Sequence, residues 1–515
     1  MNIVILGGGG AGWLSALTLA NFFKDNASIT LIESDDIGIL GAGEGTVPMI
    51  QTFIKENNIN VGEFLNKTNG TFKLGINFEN WQRDGSSFFH DFGYKQLANK
   101  FMLPIENRYD FFFKLLSENV ELKDYNLSEK FAKDNLAPLV FTQRGPNDVP
   151  GYAFHFDARL FADFLKEKSI QKGVRRIEGK MVKVNSYENG DIKSLELENG
   201  QVVHGDFFFD CSGFKRELIG KHFNSPWKDY QKYLPVKTAI PFQLPQEEFY
   251  IVPYTRATAL KYGWVWRIPL QNRYGAGYVF DSNYITPDQA KQEVEEYLGH
   301  EVDVIKTINF RAGTYEKIWI NNCIAIGLST GFTEPIEATS LWIAMIILQK
   351  IKDSGYLGML KPSNAIVDEF NKTMLDRNDS ILAFLQAHYL TTRKDSDFWR
   401  DFRKNNPLTD LLREKMELWN RRPIGRTENI VDRTFTSTSW MIVLNGNGVL
   451  NTQPYRDALP YINLRNIPAD LDKHNFESAC DEQKAHFLDH KNLLEDLQAG
   501  MVFGAIKEKY NIPNY

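Results

Sequence analysis

Cysteine is scarce in this chain: three residues in 515, at positions 211, 323 and 480. They lie too far apart for a disulfide framework or for the short Cys/His spacing of a structural zinc site, and a reduced, intracellular setting is expected. Long apolar runs are also missing. A bilayer span needs about 20 apolar residues, and the most apolar later stretch, around Leu341 to Ile351, falls short of that. The opening, Met1 to Leu6, has no basic segment and breaks into glycines too early for a secretory signal. No Lys/Arg-rich block occurs, and 59 basic against 65 acidic residues give a formal net charge of -6. Nucleic acid is therefore not an expected partner, nor is a membrane. No repeat or low-complexity linker interrupts the chain. These absences lead to the expectation of a soluble, cytoplasmic protein.

What is present suits a large folded core: 43% hydrophobic and 24% charged residues, over a length that holds roughly two to four domain-sized units. The first 33 residues read as strand (Asn2 to Leu6), glycine turn, helix (Ala11 to about Phe23) and strand (Ser28 to Glu33). Gly7, Gly9 and Gly12 satisfy G-x-G-x-x-G. The first glycine permits the tight turn, the second lets backbone approach a pyrophosphate, and the third lets helix pack on strand. The pyrophosphate would sit on the helix N-terminus, where free N–H groups and the dipole favour an anion. Glu33, about 20 residues on, is placed to bind ribose hydroxyls. A glycine turn alone would be consistent with no ligand at all; strand, helix and acid together point to a dinucleotide.

Further along, Arg159 to Lys168 has helical spacing. Three strand-like segments follow, punctuated by Asn189-Gly190 and Asn199-Gly200, dipeptides that favour tight hairpins because both residues tolerate positive φ. The meander ends in Asp206 to Asp210 and the turn Cys211-Ser212-Gly213. A second strand end, Ala325-Ile326-Gly327-Leu328-Ser329, feeds the helix Ser340 to Lys352. A simple NAD-binding fold needs neither turn, whereas a large flavoprotein gathers several strand ends around one extended cofactor. FAD is the expected cofactor. The region from about 225 to 310 alternates strands and turns, and the pattern from about 365 onward is mainly helical.

Four segments together resemble the flavin-dependent halogenases of the tryptophan halogenase family: the opening glycine motif; Gly41 to Pro48; Trp264-Val265-Trp266-Arg267-Ile268-Pro269; and Gly331 to Leu341. The W-x-W-x-I-P element is the family's most distinctive signature. The resemblance runs from residue 1 to about 345 and continues weakly through Phe435 to Gly448. It implies an α/β fold: an FAD-binding Rossmann-like core of the flavin monooxygenase type, an inserted substrate-side β-sheet (about 225–310), and a mainly helical C-terminal cap, with a boundary near 365/366.

The resemblance also implies site residues. Lys73, in Phe72-Lys73-Leu74-Gly75-Ile76, matches an essential lysine, and its apolar neighbours would lower the pKa of an ammonium by desolvation. Glu337 matches the second active-site residue; a carboxylate at a helix start also serves as an ordinary cap. Halide is implied at Thr339 and Ser340, where this chain carries Ala338 in place of the family's usual serine. Gly10, Ala11, Thr46, Val182, Leu328 and Leu341 join Gly7, Gly9, Gly12 and Glu33 as implied cofactor contacts. His90, Phe92, Trp264, Trp266 and Trp440 are implied on the substrate side. The segment Thr436 to Leu450 offers Trp440 and Asn445 but no set for the charged ends of an amino acid, which implies a substrate other than free tryptophan.

The chemistry implied is that FADH2, supplied by a separate flavin reductase, reacts with O2 and halide to give hypohalous acid. Lys73 then either hydrogen-bonds that species or becomes a haloamine, and an electron-rich aromatic substrate is halogenated. Two other readings of the sequence stay open: a flavin-dependent aromatic hydroxylase and a non-catalytic flavin-binding protein. Homo-oligomerisation is also left open.

Overall fold

A computed structural model of the chain describes all residues except 37, 39–42, 94–104, 143–144, 149–150, 247–249, 355–362, 429–433, 465–472, 485 and 511–515, and of residues 105–107, 140–142, 145–148 and 483 the backbone alone. Gly41 and Ala42 of the Gly41 to Pro48 segment therefore lie outside the described residues. The chain opens with β1 (Asn2–Leu6), α1 (Gly10–Phe23) and β2 (Ser28–Glu33), followed by β3 (Thr71–Lys73), β4 (Gly75–Glu79) and β5 (Ser87–Asp91). Next come β6 (Ala153–Asp157), α2 (Ala158–Gln171), β7 (Arg175–Glu178) and β8 (Phe207–Asp210). A run of strands follows: β9 (Thr238–Pro245), β10 (Thr255–Ala259), β11 (Gly263–Pro269), β12 (Arg273–Phe280) and β13 (Ile308–Asn309). Then come β14 (Trp319–Ile320), β15 (Cys323–Ala325), α3 (Thr339–Ser354), α4 (Asn364–His388) and α5 (Ser437–Gly446).

Packing divides the chain into two units of interleaved segments: 1–69, 156–231 and 311–378 in the first, and 70–155, 232–310 and 379–515 in the second. The first is built on a six-stranded sheet in the order β7-β2-β1-β8-β15-β14, parallel except for the last pair. Its strands are buried runs such as Ile3, Val4 and Ile5 in β1 and Phe208 and Phe209 in β8, the composition a sheet covered on both faces demands. Helix α1 buries Trp13, Leu14, Ala16 and Leu17, each large apolar side chain contributing about 1.5–3 kcal/mol. Both Asn-Gly sites turn the chain between three antiparallel strands, but only the glycine of each pair has positive φ, Gly190 at +85° and Gly200 at +81°, so the expected pair of left-handed residues is not found. This is the Rossmann-like core inferred from the sequence.

The second unit holds a seven-stranded sheet in the order β13-β9-β12-β11-β10-β4-β5. Five of its strands come from the expected 225–310 region. The other two, β4 and β5, come from residues 75–91, and β4 pairs in parallel with β10. In the centre of the sheet Trp266 stands opposite Gly277, where a Cβ would lie 2.1 Å from the indole ring; a glycine there makes room for the tryptophan. The C-terminal part is mainly helical, with one short strand, Phe487–Asp489, among the described residues. No helix among the described residues is long and apolar enough to cross a membrane.

Candidate active site

Three glycine turns converge at the C-terminal ends of β1, β8 and β15. Gly7 has φ +118°, and a Cβ on it would lie 2.1 Å from the Cys211 carbonyl oxygen. A Cβ on Gly12 would lie 1.9 Å from the Gly7 carbonyl oxygen, and one on Gly327 2.6 Å from Cβ of Ala11. Ser329 Oγ donates to the Gly213 carbonyl at 3.3 Å. The second turn is braced by buried Asp210, which accepts from Ser212, Leu218 and Ile219 N–H groups. Gly9, by contrast, has open space where a Cβ would stand. It caps α1 without a side-chain bond, and no acidic residue occupies the helix's first turn. A helix N-terminus with free approach and no acidic residue in its first turn suits a phosphate group, so this end fits the pyrophosphate of a dinucleotide.

Glu33 sits beneath this loop at the end of β2. Its Oε1 is held by Arg176 Nε at 2.6 Å and Lys166 Nζ at 2.8 Å, and its Oε2 accepts from Trp13 Nε1 at 3.2 Å. Oε2 also lies 1.6 Å from where a Gly8 Cβ would stand. The sequence offered no sign of these two cations. Thr46 is buried, Leu341 is 8% exposed and Leu328 half-buried. Val182 lies 59% exposed on the strand Met181–Ser186, and no described contact ties it to the glycine turns.

The segment before α3 carries an unforeseen feature. Glu337 and Ala338 have φ +65° and +53°, two consecutive non-glycine residues in the left-handed region. Each such residue costs on the order of 1 kcal/mol and persists only where its surroundings hold it. Glu337 is 3% exposed and precedes the helix instead of lying in its first turn, while Thr339 and Ser340 open it.

In the second unit, Lys73 is 1% exposed at the end of β3. Strand β3 pairs antiparallel with β6, Thr71 opposite His155 and Lys73 opposite Ala153. Alternation puts Thr71, Lys73 and His155 on one face. Phe72 turns to the other face, where its ring meets Tyr152, Phe154 and His490. The lysine's surroundings are thus more polar than the apolar residues flanking it in sequence imply. Its Nζ lies 5.4 Å from the centroid of Phe92.

His90 is buried against Phe384 (centroids 5.6 Å apart) and Phe435 (6.5 Å), rings that stack on each other at 3.7 Å. Trp440 is 1% exposed and meets Phe384 edge-on at 4.9 Å. Four aromatics from three distant segments form one cluster; Phe384 and Phe435 escaped the sequence reading because nothing local distinguishes them from core residues. Trp264 is buried and donates through Nε1 to the Tyr389 hydroxyl at 3.2 Å, while Trp266 is half-buried. A separate cavity of about 250 Å³ is lined by Phe88, Lys123, Asn126 and Thr452 among others; of the residues the sequence offered it holds Asn445, but not Lys73, His90, Phe92 or Trp440.

The family model described as tryptophan halogenase matches residues 2–460. 7-Chloro-L-tryptophan 6-halogenase KtzR of Kutzneria sp. (strain 744) is 33% identical over 478 residues, covering 87% of this chain and 91% of the relative. The crystal structure of the tryptophan 6-halogenase SttH from Streptomyces toxytricini superposes with a TM-score of 0.85 at 29% identity, over 97% of this chain and 100% of that one. Xcc4156, a flavin-dependent halogenase from Xanthomonas campestris, superposes with a TM-score of 0.83 at 30% identity, over 96% and 98%.

Proposed function

This chain is an enzyme of the tryptophan halogenase family, and from that premise we propose that it halogenates an electron-rich, indole- or phenol-like substrate other than free tryptophan by way of Lys73. Reduced FAD, when bound, supplies with O2 the oxidising power that turns halide into hypohalous acid. A separate flavin reductase provides the reduced cofactor, and a cytoplasmic setting suits that supply. The turns at Gly7, Gly9, Gly10, Ala11 and Gly12, with Glu33, Thr46, Leu328 and Leu341, hold the cofactor. Backbone groups at Thr339 and Ser340 hold the halide, as a helix start can without a dedicated cation.

Lys73 receives the hypohalous acid and presents its electrophilic halogen, through a hydrogen bond or as a haloamine. The aromatic ring attacks that halogen, water is the other product, and Glu337 polarises the reagent or accepts the ring proton. His90, Phe92 and Trp266 position the ring. The observation that carries this reading is the burial of a lysine, 1% exposed, beside an aromatic side chain at the end of a short strand. Structural lysines are rarely so buried.

The test incubates the protein with a flavin reductase, a panel of indoles and phenols, and chloride, bromide or iodide in turn, with products read by mass spectrometry. Halogenated product dependent on halide and O2 is expected. Hydroxylated product without halide would instead establish an aromatic hydroxylase, and tight FAD binding without any product a non-catalytic protein.

A further inference from the structure

We propose that His155 and His490, two buried neutral imidazoles, are positioning residues that clamp β3 from two sides and so fix where Lys73 points. The inference rests on the reading of Lys73 as the residue that handles the halogen.

The hydrogen-bond directions follow from what each group can donate. Thr71 Oγ1 lies 2.7 Å from the Pro269 carbonyl oxygen, which only accepts, so the single hydroxyl proton points there. The 2.9 Å contact between Thr71 Oγ1 and His155 Nδ1 then requires the proton to be on Nδ1. His155 Nε2 is left as an acceptor, and Thr255 Oγ1 donates to it at 2.9 Å. His490 repeats the pattern. Its Nδ1 lies 2.7 Å from the Ile251 carbonyl and must donate, while its Nε2 accepts the Phe72 backbone N–H at 3.1 Å. Both rings are 0% exposed. Burial holds each imidazole's pKa well below its ordinary value, His155's further through the nearby charge of Lys73.

The arrangement answers a problem posed by the strand. β3 is three residues long and pairs with β6 along one edge. A buried backbone N–H on the other edge would cost about 1–3 kcal/mol if left alone, and His490 Nε2 takes it. On the side-chain face, Thr71 is tied through its hydroxyl to Pro269, the last residue of the Trp264–Pro269 motif at the end of β11. That motif thereby reaches to within two residues of Lys73, a link that no separation along the chain suggests. An acidic residue in place of either histidine would neutralise Lys73 or pair with it. A neutral ring bonds in both directions without adding charge.

The test compares His155→Leu with His155→Asn, and His490→Leu with His490→Gln, in the full-length enzyme with FAD and a flavin reductase. In each pair the second variant keeps one hydrogen bond of the clamp: the donor to Thr71, or the acceptor for Phe72 N–H. The leucine variants are expected to bind FAD and to oxidise reduced flavin as the wild type does. Their kcat for halogenation should fall about 10- to 100-fold, as for a misplacement near 1 Å, with KM for the aromatic substrate within about twofold. The amide variants should recover a large part of the loss, and nitrogen NMR of the wild type should show both rings neutral with the proton on Nδ1. Unchanged kcat in the leucine variants, a parallel rise in KM, or a ring with the proton on Nε2 would overturn the clamp. Should a leucine variant not fold, Thr71→Val, which exchanges the hydroxyl for a methyl, is expected to show the same kcat loss, and unimpaired kcat there overturns the proposal. Failure of the wild type to form halogenated product removes the reading of Lys73 itself, an outcome distinct from product that is indifferent to the histidines.

Discussion

The ammonium of Lys73 lies 5.4 Å from the centre of the Phe92 ring, close enough for the ring's π-face to attract the charge. The two residues come from different segments of the second unit, Lys73 from β3 and Phe92 from just beyond β5. Lys73→Ala should therefore separate the two halves of the reaction. The variant is expected to bind FAD and to consume reduced flavin with O2, since neither depends on this side chain, while halogenated product falls below detection by mass spectrometry. Robust product from that variant would end the assignment of Lys73.

Phe92 should matter through its ring and not through its bulk. A cation–π contact is worth about 2 kcal/mol in a desolvated setting, which corresponds to about thirtyfold in rate. Phe92→Ala is expected to lower halogenation by that order, whereas Phe92→Tyr, which keeps the ring, should leave it near wild type. Steady-state rates on one indole and one halide decide between these outcomes.

The parts of this arrangement that were legible in the sequence are those encoded locally. The Asn2 to Glu33 segment reads correctly because a buried strand, a glycine turn and a helix each leave a short-range pattern. The turns at Gly190 and Gly200 are legible because glycine takes the positive φ each one needs. Lys73 was marked by resemblance and by its apolar flanks, since composition alone gives one of 59 basic residues. Its real neighbours were hidden, because a strand sends adjacent side chains to opposite faces and brings in His155 and His490 from far along the chain. The same holds for the pairing of β4 with β10, and for Phe384 against His90. Contacts between distant segments depend on tertiary packing, which no local period records.

Two glycines of the first loop should behave differently, and the difference separates folding from cofactor binding. A methyl at Gly12 would stand 1.9 Å from the Gly7 carbonyl oxygen, so Gly12→Ala is expected to destabilise the protein and lose FAD together. A methyl at Gly9 meets no atom within 4 Å, and the residue's φ of -73° is open to alanine. Gly9→Ala should keep its melting temperature within a few degrees, because exchanging glycine at a helix cap costs under about 1 kcal/mol. Its affinity for FAD should nonetheless fall about tenfold or more, as the methyl fills the space where pyrophosphate approaches the backbone. Flavin fluorescence titration beside thermal denaturation reads both; unchanged FAD affinity in Gly9→Ala would remove the pyrophosphate from this loop.

The left-handed pair before α3 makes a stability–activity test possible. Placing a non-glycine residue in this conformation costs about 1–2 kcal/mol, and glycine in its place adds about 0.5–1 kcal/mol of chain entropy to be lost on folding. The first effect wins narrowly, so Ala338→Gly should stabilise the protein by about 0.5 kcal/mol in denaturant unfolding. The same change frees the backbone that holds Glu337 in position. Halogenation is expected to fall while FAD binding is retained, and a variant both more stable and equally active would show that the strain has no catalytic purpose.

The buried histidines also set a direction for stability against pH. Burial lowers the His490 pKa from 6.5 to about 4, so the folded state favours the neutral ring. The stability this contributes is fully present above pH 6.5 and is lost progressively as pH falls from about 6.5 toward 4, a total of about 3 kcal/mol. Glu129 works in the opposite sense, since burial raises its carboxyl to about 7 and its contribution is lost as pH rises through that value. A pH profile of the wild type alone therefore mixes these with His155, lowered in the same way, and with Glu44, which desolvation also raises to about 7. Subtracting the profile of His490→Gln isolates the imidazole, because Glu129, His155 and Glu44 are common to both proteins. The difference in unfolding free energy should shrink steadily between pH 6.5 and 4 as the wild type loses its advantage. A difference independent of pH would mean that His490 takes up its proton as readily in the folded protein as in the unfolded chain, which the acceptor role of Nε2 toward Phe72 N–H forbids.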